Sequence, residues 1–343
     1  MRKLLNTLHV TTQGAYLHRD GETISVKIGE EVRLRLPIHT VESVLCYGRV
    51  TCSPFVLGLC CERGVGVSML TEQGRFMARV SGPVSGNVLL RRRQYRAADE
   101  PVSALPIVIA MVVAKIANSR LVLLRGAREA ADEERKRLLR TKAHHLSQMG
   151  LAASRSATID EARGYEGIAA QDYFSVFNEL IAEREKAFSF GGRSRRPPLD
   201  RVNAMLSFLY ALLRQDVVSA LESVGLDPAV GFLHTDRPGR ASLALDLMEE
   251  FRPHLADRLV LKMINRRQVE ASGFREVDGG GIEMDDNTRK ELIGAWQRRK
   301  QEEIMHPFLQ EAVPIGLIPY TQSLLLARHL RGGLEAYPAF FWR

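Results

Sequence analysis

Arg91-Arg92-Arg93-Gln94-Tyr95-Arg96, followed by Pro101 and Pro106, divides the chain into two kinds of sequence. Before it, the pattern is that of strands. Thr23-Ile24-Ser25-Val26-Lys27-Ile28 alternates apolar and polar residues with period two, as does Val32-Arg33-Leu34-Arg35-Leu36, and Gly29-Glu30-Glu31 suits a hairpin between them. Further short strands are expected over 41–46, 65–70 and 75–80, punctuated by Gly48, Pro54, Gly64 and Gly74. After it, the period is helical: Ile107 to Leu124, Glu129 to Gln148, a helix opened by Thr158 with Glu161 three residues on, Leu199 to Leu213, Ala241 to Phe251, Asn287 to His306 and Pro319 to Leu330. The fold expected is α+β. An antiparallel, sandwich-like β domain over 1–96 leads through a linker at 97–106 to an all-α domain over 107–343.

With 343 residues the chain has room for two cores, and 45% hydrophobic with 26% charged residues is ordinary for a globular protein. Its formal charge of +8 favours polyanionic partners, although charge alone does not name them. The four cysteines, Cys46, Cys52, Cys60 and Cys61, fit no zinc-ribbon spacing and are read as small buried residues of a reducing, cytoplasmic compartment. The start, Met1 to Leu5, turns polar at Asn6-Thr7, and Lys115, Asn118 and Arg120 interrupt the most apolar run, which reads as a core helix rather than a membrane span. No phosphate-binding glycine loop, dinucleotide fingerprint or Gly-x-Ser-x-Gly elbow is present, which argues against nucleotide-fuelled, redox and serine-hydrolase chemistry.

Three local sequences carry chemistry. Glu166 lies in Arg163-Gly164-Tyr165-Glu166-Gly167, on a helix with a largely apolar flank. His234 lies in Gly231-Phe232-Leu233-His234-Thr235-Asp236-Arg237-Pro238. Fifteen residues on, Glu249 follows Asp246 in Leu245-Asp246-Leu247-Met248-Glu249-Glu250-Phe251. Asp246, Glu249 and Glu250 share one face of the expected helix, which is a solvated acidic face unless a cation completes it. Carboxylates with an imidazole suit Mg²⁺ or Mn²⁺, and such an ion polarises phosphoryl oxygens. Arg91 to Arg93, Arg193 to Arg196, Arg266-Arg267 and Arg298 to Lys300 are either solvated or a surface that tracks phosphates. His144, His145, His254, His306 and His329 are read as structural.

These segments, together with Val202 to Tyr210 and Gln297 to Glu303, resemble the CRISPR-associated adaptation integrase, the universal endonuclease-like protein of spacer acquisition, and look closest to its type I-C form. The resemblance covers nearly the whole chain. It implies a β domain that forms a homodimer and a helical catalytic domain. Two such dimers would clasp a dimer of the second, smaller adaptation protein. It maps a metal triad for Mg²⁺ or Mn²⁺ onto Glu166, His234 and Glu249. Members differ in whether the last ligand is Asp or Glu, so Glu249 is favoured as the ligand and Asp246 joins the catalytic set beside it. The implied reaction is metal-dependent integration into double-stranded DNA, with a spacer precursor joined to a CRISPR repeat by transesterification. An additional adaptation nuclease is a further candidate partner. The rival readings are a stand-alone structure-selective DNA nuclease and a catalytically inert DNA-binding scaffold.

Overall fold

A computed structural model describes residues 7–41, 43–72, 76–80, 82, 88–182 and 187–342. Gly74, Arg75 and the start Met1 to Asn6, all used above, lie outside them. The chain forms two compact units, Met1–Gly86 and Asn87–Arg343.

The first unit holds two four-stranded sheets. One is built from β2 (Ala15–Asp20), β3 (Thr23–Ile28), β4 (Glu31–Pro37) and β6 (Thr51–Cys52), in the order β4-β3-β2-β6. Its first three strands form an antiparallel meander, with Gly21 and Gly29 taking φ of +60° and +61° at the tips, a conformation only glycine adopts cheaply. The other sheet runs β1-β5-β7-β8: Thr7–Val10, Ser43–Tyr47, Gly66–Leu70 and Phe76–Val80. Here the expected antiparallel sandwich needs correction, because β1, β5 and β7 are mutually parallel and β6 is parallel to β2. A parallel pair requires a crossover, and a helix between β5 and β7, α1 (Pro54–Glu62), lies in that connection. It starts at Pro54 with Ser53 Oγ accepting from Val56 N at 3.2 Å. The sequence did not announce this helix, since Pro-Phe-Val-Leu-Gly-Leu-Cys-Cys-Glu is apolar almost all round and carries no 3.6 period. The core between these elements is made of side chains such as Leu17, Ile24, Val44, Val56, Leu59 and Val67.

The second unit is helical: α2 (Val88–Asp99), α3 (Pro101–Glu129), α4 (Glu133–Ala153), α5 (Ile159–Ser175), α6 (Arg201–Val224), α7 (Ser242–Met248), α8 (Arg258–Asn265), α9 (Asp286–Gln301) and α10 (Ile318–Leu330). Two small hairpins interrupt it, β9–β10 (Phe274–Val277 with Gly281–Met284) and β11–β12 (Glu303–Met305 with Ala312–Pro314), so the domain is not purely α. The stretch read as a linker, 97–106, is helical apart from a break at Glu100. Pro101 opens α3, where a missing N–H costs nothing, and Pro106 gives up one backbone bond early in a long helix. The compact units divide earlier, at Gly86 and Asn87. By length and composition α3 and α6 could cross a membrane, yet most of their apolar windows are buried inside the protein, as core helices are.

Candidate metal centre and phosphate pocket

Glu166 is placed by α5, whose start matches the expected cap: Thr158 Oγ accepts from Glu161 N at 3.1 Å, and Glu161 reaches back to Ala157 N at 2.8 Å. Two turns on, Glu166 faces α3. The other acids come from α7 and the segment after it. Asp246, Glu249 and Glu250 are all buried, so the solvated acidic face open to the sequence does not exist. They are divided among three different tasks.

Asp246 orients the histidine loop. Its Oδ2 accepts from Phe232 N (2.6 Å) and Leu233 N (2.9 Å), and its Oδ1 from His234 N (3.0 Å) and His234 Nδ1 (2.6 Å). With Nδ1 donating to a carboxylate, Nε2 keeps its lone pair for a cation. Gly231 lets this loop lie flat on α7, because a Cβ there would stand 2.7 Å from Asp246 Oδ2 and 2.8 Å from the Ser242 carbonyl carbon. Arg163 Nη2 donates to Leu233 O at 2.7 Å and so ties the loop to α5, the helix that carries Glu166.

Glu249 is the charged acid. It caps α7, where the chain widens into a π-helical turn, Arg252–Asp257. Its Oε1 faces Arg252 Nη1 at 2.8 Å, and its Oε2 faces Lys115 Nζ at 2.6 Å. Burial pushes its carboxyl upward, but Arg252, Lys115 and His234 outweigh burial and hold it down at about 2. Lys115, on α3, also pairs with Glu166. Glu166 and Glu249 therefore converge on one ammonium, with His234 near enough to act on Glu249 electrostatically. Among the described residues, no three His, Cys, Asp or Glu side chains close into a ready cation cage, since Lys115 lies between the two acids. Lys115 was legible in the sequence only as an interruption of an apolar run.

Glu250 points the other way. Its carboxyl oxygens accept from Tyr337 Oη (2.8 Å), Phe340 N (2.7 Å) and Gln322 Nε2 (3.3 Å), and so anchor the C-terminal segment.

Beside Lys115 and Glu166 opens a cavity lined by Tyr173, Arg193, Tyr210, Arg252 and Asp257. The Arg193 and Arg252 guanidiniums lie 5.2 and 5.0 Å from the Tyr210 ring centre. Tyr173 and Tyr210 both donate to Asp257, at 3.0 and 2.6 Å, and burial lifts that carboxyl to about 6. Two guanidiniums next to a carboxylate pair suit a phosphodiester. Neither Asp257 nor the two tyrosines had stood out in the sequence, because the side chains that join them lie up to 84 residues away.

The basic runs are put to mixed use. Arg92, Arg93, Arg195, Arg196, Arg266 and Arg267 are exposed. Lys300, however, is buried against Asp216 at 2.9 Å, and Arg299 lies over the Trp342 ring. His254 stacks on Trp342 and His306 bonds Gln322, as structural histidines would; His145 pairs with Asp172 of α5.

The family model for "CRISPR associated protein Cas1" matches residues 8–298. A "CRISPR-associated endonuclease Cas1 2" of Rhodospirillum rubrum is 51% identical over the whole of both chains, and a "CRISPR-associated endonuclease Cas1 1" of Chlorobaculum tepidum is 49% identical over the same extent. In fold, the chain matches a CAS1 protein from Thermotoga maritima with a TM-score of 0.81 at 21% identity, covering 98% of this chain and 100% of that one. The chain belongs to the Cas1 family of CRISPR-associated proteins.

Proposed function

We propose that the protein is a metal-dependent DNA integrase and endonuclease of CRISPR adaptation, with Glu166, His234 and Glu249 as ligands of Mg²⁺ or Mn²⁺. Family membership supports the general activity, and one observation carries the site: two acids from distant helices are aimed at a single cation. The donor set fits such an ion. Glu249 Oε2 is buried without an aligned hydrogen-bond donor, and the Nδ1 contact to Asp246 leaves His234 Nε2 available. When bound, the metal would activate an attacking hydroxyl and offset charge on phosphorus.

The protein's own groups do the rest. Asp246 fixes the imidazole. Arg252 and Arg193 hold a non-bridging phosphate oxygen at the cavity, next to the carboxylates. The 3′-hydroxyl of a DNA fragment would then displace the strand at the edge of a repeat, with water in its place giving hydrolysis. Exposed arginines would follow the DNA backbone without reading its sequence. The same proposal includes a homodimer through the β unit, the second, smaller adaptation protein as partner, an additional nuclease and a type I-C-like origin, each supported by the sequence segments quoted above.

The test is joining of labelled DNA fragments into a repeat-bearing plasmid with Mn²⁺, in the presence of the smaller adaptation protein. Wild type is expected to join and Glu166→Ala to lose joining by at least about a hundredfold. Cleavage without joining would favour a stand-alone nuclease. Equal activity in the variant would favour an inert scaffold.

A further inference from the structure

We propose that Lys115 is a resident counter-cation of the carboxylate pair that must withdraw when the metal enters, so that metal binding and Lys115 compete for the same oxygens. This rests on the metal reading above and adds to it a residue that the triad does not contain.

Lys115 contacts both proposed acidic ligands, Glu166 Oε1 and Glu249 Oε2, the latter at 2.6 Å. Its side chain is only 14% exposed, on α3, and lines a cavity together with apolar residues such as Ile116, Ala169 and Phe174. A lysine there without partners would be costly, and so would two buried carboxylates facing each other without a cation. Each supplies what the other lacks.

Charge balance makes the arrangement exclusive. Glu166 and Glu249 are offset by Lys115 and Arg252, the latter 2.8 Å from Glu249 Oε1. A dication added to the same two carboxylates would leave a surplus of two positive charges in a largely buried site. An ammonium pressed against the ligand oxygens would also fill positions the ion needs. Of the two cations, Lys115 is the one placed between both acids, and its flexible four-carbon stem borders the cavity lined by Tyr173, Arg193, Tyr210, Arg252 and Asp257. Arg252 pairs with Glu249 and stacks on Tyr210, so it stays.

Calorimetric titration of Mn²⁺ into wild type, Lys115→Met and Glu166→Ala tests this, with thermal melting in chelator alongside. Lys115→Met is expected to bind Mn²⁺ about tenfold more tightly than wild type, because its competitor is gone. It is also expected to melt lower than wild type in chelator and to recover more on adding Mn²⁺. A second measurement uses unaltered protein and needs no folded variant: acylation of Lys115 by acetic anhydride, followed by mass spectrometry, should rise when Mg²⁺ is added. Weaker or unchanged Mn²⁺ binding in Lys115→Met, or Lys115 acylation that ignores Mg²⁺, would overturn the proposal while leaving the metal site standing, provided Glu166→Ala loses the ion. Should Glu166→Ala bind Mn²⁺ as wild type does, the ion sits elsewhere, and the metal reading falls and takes this proposal with it.

Discussion

Among single residues, Asp246 and Glu250 show how neighbouring acids four positions apart come to do unrelated work. Asp246 accepts from three backbone N–H groups and one imidazole, so Asp246→Asn would turn an amide toward donors. The expected outcome is a stability loss of about 1–3 kcal/mol and Mn²⁺ affinity lower by roughly 10- to 100-fold, measured by chemical denaturation and by calorimetry. Glu250 makes a prediction about pH. Burial raises its carboxyl from an ordinary 4.5 to about 8, against the donors Phe340, Tyr337 and Gln322. The folded protein thus binds this proton more tightly than the unfolded chain, so the group's contribution is whole below about 4.5 and is lost as pH climbs through 8. The melting-temperature gap between wild type and Glu250→Gln should therefore shift in the variant's favour between pH 5 and pH 9; a gap that stays constant would refute the assignment. The sequence displayed Glu166, His234 and Glu249 through their flanking residues. It could not separate Asp246 from Glu250, because which of two acids finds backbone donors depends on loops that fold onto them.

Elements set the geometry of the site, and the short α7 is the most exacting. The His234 loop lies against its first turn with no space for a side chain at Gly231, where an added Cβ would press on backbone as well as on Asp246. Gly231→Ala should cost about 1–3 kcal/mol and lower integration more than its stability loss explains, as read by activity assayed well below the melting temperature. The opposite end of α7 passes into a π-helical turn, which the i, i+4, i+8 spacing of Leu243, Leu247 and Phe251 does not reveal. That turn carries Arg252 back onto Glu249. The Thr158 cap opens α5 where expected, whereas α6 runs past the expected end at Leu213 to Gly225, where φ +92° stops it. The helix α1 was not readable, since apolar residues stand on its exposed face as well as its buried one, Phe55 among them, and erase the period on which such a reading depends.

At the scale of the whole molecule, the two-part α+β plan followed from the switch in periodicity near Arg91 to Arg96, while its boundary did not, because prolines at 101 and 106 look like breakers, yet the first opens α3 and the second is carried inside it. Net charge of +8 and the exposed Arg195 and Arg196 give a prediction at this scale. DNA binding should weaken steeply with salt, and replacing both arginines by alanine should flatten the slope of log K against log salt by about 1–2. An unchanged slope would place the DNA elsewhere. Catalysis as proposed requires three side chains from three separate segments to share one ion. Anomalous diffraction from crystals soaked in Mn²⁺ tests that most directly. A single manganese peak within bonding distance of Glu166, His234 Nε2 and Glu249, with Lys115 moved aside, is the result expected; a peak elsewhere, or none while Lys115 keeps both acids, would contradict it.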